Sequence, residues 1–291
     1  MSEEDAKIII PLAIILNIIT EICLIMRLVL QFICPVFRTK AMKLQFNVCL
    51  TQFITMTMYV LGVNFPLSSW ICVIFSVFDH YIILSQFVWL IILANDIRQR
   101  MLNSKNINPI DGTSWMDIRS QLIFGWGTSL IFPLIGILLQ YSGEIQDKYK
   151  PRYGEKSCCF QPENIEQLIF YVPLFLAIII NIALFVLICI GLRKAFKTRD
   201  ELISGHRPYI WTYMKLSLLM GMNYVLVFLL PFVNNFIFWL SILIVHALHG
   251  IYAGAAFVFT KEVYKSIFGT KSEDTPKRSL EEAIVSRRNS T

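Results

Sequence analysis

Long apolar stretches alternate with short polar ones along the chain. Cut at its charged clusters, it yields seven apolar runs: 8–34, 44–63, 67–94, 120–141, 167–192, 209–233 and 236–260. Each contains 20 to 28 residues. A helix rises about 1.5 Å per residue, so about 20 residues cross the roughly 30 Å hydrocarbon layer of a bilayer. The longer runs must tilt or project beyond it. Stretches such as Leu174–Ile190 are apolar on every face, which excludes the two-residue alternation of a membrane β-barrel. The pattern predicts an all-α membrane protein, a bundle of seven transmembrane helices.

Composition agrees with the pattern. Of 291 residues, 56% are hydrophobic and 16% charged, too apolar for a soluble globular enzyme. The 22 phenylalanines and many aliphatic residues exclude a disordered chain. The first run is not a secretory signal, because Glu3, Glu4 and Asp5 precede it where such a signal carries positive charge.

The net charge of +6 becomes informative once its positions are mapped. With the N-terminus extracellular and the C-terminus cytoplasmic, 19 of the 26 Lys and Arg residues fall in the cytoplasmic segments 35–43, 95–119, 193–208 and 261–291. Cytoplasmic loops carry this excess in membrane proteins, so the bias sets the orientation. It also removes any need for nucleic acid as a partner; the partner the composition demands is the lipid bilayer. The resulting layout has a short extracellular N-terminus (1–7), a seven-helix domain (8–260) and a cytoplasmic segment whose tail (270–291) is expected to be disordered. Arg287-Arg288-Asn289-Ser290 in that tail has the spacing basophilic kinases use.

Seven cysteines stand at 23, 34, 49, 72, 158, 159 and 189. Four lie in or at the ends of helices, where thiols pack as small hydrophobes. Cys72, Cys158 and Cys159 face the oxidising side, where a bridge from Cys72 to either of the adjacent pair is allowed.

Ionisable groups inside a bilayer are costly and therefore functional candidates. They are Glu21, Arg27, Asp79, His80, Lys215, His246 and His249. Glu21, near mid-helix, is expected to face the bundle. Arg27 and Lys215 lie about two turns from a helix end and are expected to snorkel to the interface. His246 and His249 share one helix face; buried, hydrogen-bonded histidines are the expectation there, ahead of a metal site. Asp79, Trp239, His246 and His249 are the candidate ligand-pocket residues, from their polar or aromatic character. No H-E-x-x-H, G-x-S-x-G or Walker loop occurs, which argues against an enzyme, and nothing calls for a cofactor.

Specific residues add to the topology. The third run carries Cys72, then Trp89-Leu90 and Asp96-Ile97; the fourth carries Gly125-Trp126-Gly127. Cys158-Cys159-Phe160 follows, then Pro173 and Asn181 in the fifth run. The sixth reads Lys215-Leu216-Ser217-Leu218-Leu219-Met220-Gly221, and the seventh has Gly250, Phe257, Phe259 and Glu262-Val263. In this order and spacing they resemble the secretin/adhesion-type (class B) G-protein-coupled receptors, and within them the methuselah-like branch. The likeness covers about residues 10–268.

The resemblance implies a Cys72–Cys158 bridge, with Cys159 as the other possible partner. It implies packing and hinge roles for Trp89, Trp126, Pro173, Asn181, Gly221 and Gly250. It also implies a short amphipathic cytoplasmic helix (261–269), and Arg193, Lys194, Lys215 and Glu262 would lie on the side where a heterotrimeric G protein docks. The expected function is a plasma-membrane receptor that answers an extracellular ligand, peptide or small molecule, by opening the cytoplasmic ends of helices five and six. The alternatives are a transporter or proton-coupled carrier using Glu21, Asp79 and the histidines, and a truncated receptor-derived protein that does not signal. The chain departs from the family's pattern in several places. Few residues precede the first run, Leu93 stands where many members have glutamate, and Ser129 replaces the proline of Gly-Trp-Gly-x-Pro. His249 replaces a glutamine and Thr260 an asparagine.

Overall fold

The computed structural model describes residues 3–64, 69–102, 115–155, 158, 168–198, 229 and 236–258. Among these the secondary structure is helical. The α-helices are α1 (Glu3–Ile33), α2 (Lys40–Asn64), α3 (Ser69–Leu102), α4 (Arg119–Gly127), α5 (Ile131–Tyr141), α6 (Leu168–Thr198) and α7 (Phe236–Val258). Five stretches are long and apolar enough to cross a membrane: Ile14–Ile33, Lys40–Gly62, Ser69–Gln99, Arg119–Tyr141 and Leu168–Gly191. Leu240–Tyr252 in α7 is apolar but shorter. The sixth apolar run lies outside the described residues except for Leu229. Helix α1 begins at Glu3, so it takes in the acidic segment expected to precede the first span.

The fourth run is not one continuous helix. A 3-10 turn, Thr128–Leu130, separates α4 from α5. Pro133 cannot donate to the carbonyl of Ser129, which frees the backbone there. Upstream, the hydroxyl of Thr128 donates to the Phe124 carbonyl at 2.7 Å and that of Ser129 to the Gly125 carbonyl at 3.1 Å. Such back-bonding tightens and bends a helix.

Helix α3 is the axis of the assembly. It packs against α2, α4, α5 and α6, whereas α1 packs against α2 and α7. Leu24, Leu44, Val48, Leu84, Trp89 and Leu174 are among the residues that fill the space between them. Ile14, Ile18 and Ile22 of α1 and Leu176 and Ile180 of α6 project outward. Exposed aliphatic faces on helices of this length are what acyl chains solvate.

Where apolar burial alone drives no association, close approach and polar contacts hold helices together. At Gly250 of α7 an added Cβ would run into the Thr20 side chain of α1. The Thr20 hydroxyl donates to the carbonyl of Ala247 at 3.4 Å, so the α1–α7 seam combines a glycine contact with a hydrogen bond.

Candidate functional site

Three polar layers lie along α3, spaced by its rise of about 1.5 Å per residue. The first is at the end that carries the disulfide. Cys72 of α3 is bonded to Cys158, closing a separation of 86 positions. The loop leading to Cys158 turns through Arg152 at φ 52° and Gly154 at φ +71°. An added Cβ at Gly154 would come within 2.8 Å of the Val73 backbone nitrogen, so only glycine fits this turn against α3.

Between those two residues Tyr153 turns inward and is 1% exposed. Its hydroxyl lies 2.6 Å from Nδ1 of His80, and its backbone N–H donates to the Gln140 side chain at 3.3 Å. The rings of Tyr153 and Phe170 each lie 5.9 Å from the His80 ring. Gly136 of α5 makes room for the phenol, since any Cβ there would strike the Tyr153 hydroxyl. Burial pushes that hydroxyl well above the usual tyrosine range. On the exposed part of the loop, the Lys150 ammonium 2.8 Å from Asp147 holds that carboxyl below its ordinary range, by hydrogen bond first and charge second.

The middle layer joins α2, α3 and α4. The Trp126 indole N–H donates to Asn47 Oδ1 at 3.2 Å. The Tyr81 hydroxyl donates to the Trp126 carbonyl at 3.1 Å. The fully buried Trp89 lies edge-on to Trp126, with ring centroids 5.8 Å apart. Gln86 donates to Gln52 between α3 and α2.

The third layer lies at the opposite end. Lys40 of α2 pairs with Asp96 of α3 at 3.1 Å, and Lys43 sits 5.2 Å above the Trp115 ring. Arg27 corrects the snorkelling expectation. It is fully buried, donating to Gln31 at 3.1 Å, the Met42 carbonyl at 3.0 Å and Gln45 at 3.3 Å. Its guanidinium also stacks 4.3 Å over Phe37. The reason is geometric. The chain turns back directly after α1, so α2 brings a carbonyl and an amide to the arginine before its head can reach water.

The remaining sequence candidates are distributed as follows. Asp79 and His249 are buried, on α3 and α7 respectively. Trp239 and His246 lie in α7, with side chains outside the described residues. Glu21 is half-buried and accepts a hydrogen bond from the Thr57 hydroxyl at 3.3 Å. Pro173 is buried inside α6, where it cannot donate to the Ile169 carbonyl. Asn181 donates to the Ala177 carbonyl of its own helix at 2.9 Å. Arg193 is exposed near the end of α6, and Lys194 lies in the same helix with its side chain outside the described residues. Cys159, Lys215, Gly221 and Glu262 are outside them altogether. Among the described residues no group of three or more His, Cys, Asp or Glu is placed to hold a metal ion.

A family model described as 7 transmembrane receptor (Secretin family) matches residues 6–255. The chain therefore belongs to the secretin family of seven-transmembrane receptors. No curated protein matches it in sequence.

Proposed function

We propose that this protein is a seven-helix G-protein-coupled receptor of the methuselah-like type, resident in the plasma membrane. Its N-terminus is extracellular and its C-terminus cytoplasmic. The family match over residues 6–255 carries the receptor class of this reading, and the branch rests on landmarks such as Trp89-Leu90 and Asp96-Ile97. The reading is supported by the fall of 19 of the 26 cationic residues in alternate segments flanking the apolar runs and by the Cys72–Cys158 bond at one end of α3. An extracellular ligand, peptide or small molecule, enters at the disulfide end and shifts the population toward a state open at the cytoplasmic ends of the fifth and sixth spans. Asp79, Trp239, His246 and His249 line its route. Arg193, Lys194, Lys215 and Glu262 face a heterotrimeric G protein, and Gly221 and Gly250 serve as packing and hinge positions.

The test is nucleotide exchange on heterotrimeric G proteins in membranes containing the full chain, beside an uptake assay on the same vesicles. Exchange above that of empty membranes, without solute flux, supports the receptor reading. Flux without exchange, or neither at normal surface expression, overturns it. An epitope at each terminus, probed on intact and permeabilised cells, checks the orientation separately.

A further inference from the structure

Tyr153 reaches the bundle from a loop, yet it is enclosed as completely as a core residue. Four features specify its place. Gly136 leaves the space that its hydroxyl occupies. His80 Nδ1 stands at hydrogen-bond distance, 2.6 Å. The His80 and Phe170 rings meet edge to face at 61°, and Tyr153 lies tilted by 39° against the first of them. The Cys72–Cys158 bond and the Gly154 turn against Val73 deliver the residue from outside. A site defined by one buried polar group, aromatic walls and a missing Cβ is specific for a flat ring bearing a hydroxyl. The residue that fills it belongs to a strap anchored at Cys158 and not to a helix.

We propose that His80, Phe170 and Gly136 form a phenol-binding niche at the mouth of the bundle. Tyr153 is its tethered occupant, and an incoming ligand gains the interior by replacing that side chain with an aromatic hydroxyl of its own. The ligand step rests on the receptor reading above, whereas the niche itself is a property of the folded chain. Occupied by Tyr153, the niche closes the mouth. Vacated, it frees the segment Pro151–Glu155 to swing on the disulfide. The ligand class is thus a phenol, such as a tyrosine side chain of a peptide or a small hydroxylated aromatic.

The test uses the full chain in lipid nanodiscs with p-cresol as the probe and toluene as its hydroxyl-free control. Tyr153→Ala opens the niche. Millimolar p-cresol is expected to raise the variant's thermal midpoint by roughly 5 °C, toluene clearly less, and neither to raise the wild type's. In His80→Leu/Tyr153→Ala the advantage of p-cresol over toluene disappears. Equal stabilisation by the two solutes overturns recognition of the hydroxyl, and no stabilisation overturns the niche. If Tyr153→Ala is not recovered folded, the wild type carries the test through hydrogen exchange of residues 150–155. Saturating p-cresol accelerates exchange there by displacing Tyr153 while toluene does not; unchanged exchange overturns the proposal. These readouts need no G protein, so failure of the niche and failure of the receptor reading are distinguishable.

Discussion

Asn47 of α2 accepts a hydrogen bond from the indole N–H of Trp126 of α4 at 3.2 Å, across 79 positions of sequence. Asn47 is itself tied to its helix, donating to the Lys43 carbonyl at 2.9 Å. Its orientation is therefore set before α4 arrives, and the indole finds a fixed acceptor. Asn47→Leu and Trp126→Phe are each expected to lower stability by about 1 kcal/mol, with a double-mutant coupling of about 0.6 kcal/mol, typical of interhelical bonds in bilayers. Unfolding in mixed micelles measures both. Strictly additive losses would mean that the bond holds nothing together.

The same indole lies against Trp89, whose ring fills the space over Gly125. An added Cβ at Gly125 would come within 2.6 Å of that ring. Gly125→Ala is therefore expected to cost about 1–3 kcal/mol through overpacking, and Trp89→Phe to recover part of it. At Gly127 a Cβ meets nothing within 4 Å. The matched substitution Gly127→Ala is expected to be neutral or slightly stabilising, since alanine favours a helix. Thermal midpoints of the two alanine variants, compared side by side, check this; equal effects would contradict it.

Much of this was legible in the sequence for a physical reason. Helix length is set by bilayer thickness, so apolar runs such as 167–192 announce themselves, and α6 spans Leu168–Thr198. Landmark residues such as Trp89, Trp126 and Cys72 were visible as a pattern in register. What could not be read was partnership across the bundle. Arg27 looked like an interfacial arginine because sequence distance to a helix end says nothing about the helix that folds back on it. Tyr153 stood in a polar loop among Lys148, Lys150 and Arg152, where a tyrosine is expected at the surface. Only Gly154 beside it hinted at an unusual turn. The break at Thr128–Leu130 left only weak marks, Thr128, Ser129 and Pro133, inside a run whose length fits one uninterrupted span.

Arg27 makes a separate prediction. Its two terminal nitrogens engage Gln31, the Met42 carbonyl and Gln45 together, a fork that an ammonium cannot reproduce. Arg27→Lys is expected to lose about 1–3 kcal/mol, although charge and approximate length are kept. Arg193→Lys, at an exposed position, is expected to stay within about 0.5 kcal/mol of wild type. Equal tolerance of the two substitutions in a denaturation series would contradict the buried arrangement.

The disulfide closes a long loop, so breaking it releases much unfolded-state entropy and frees the strap that carries Tyr153. Cys72→Ser/Cys158→Ser is expected to cost about 2–4 kcal/mol and to raise proteolysis within 144–155. Cys159→Ser is expected to leave the Cys72–Cys158 cross-link intact in peptide mass mapping under non-reducing conditions. Loss of that cross-link on changing Cys159 would instead favour the alternative pairing.

The pH response of the strap follows from the buried phenol of Tyr153. In the unfolded chain Tyr153 ionises near pH 10; in the folded protein burial holds it protonated beyond that. A group whose folded value is raised contributes full stability below its unfolded value and loses it as pH rises above. Wild-type protein is therefore expected to lose stability on the alkaline side of about pH 10 more steeply than Tyr153→Phe, which has no proton to lose. Asp147 acts in the opposite sense. Its carboxyl is held low by Lys150, so its small exposed contribution is present at neutral pH and fades only in acid. Thermal midpoints of wild type and Tyr153→Phe, taken from neutral to strongly alkaline pH, separate the two. Curves that stay parallel through the tyrosine range would show that the phenol is no more protected from ionisation in the fold than in the unfolded chain.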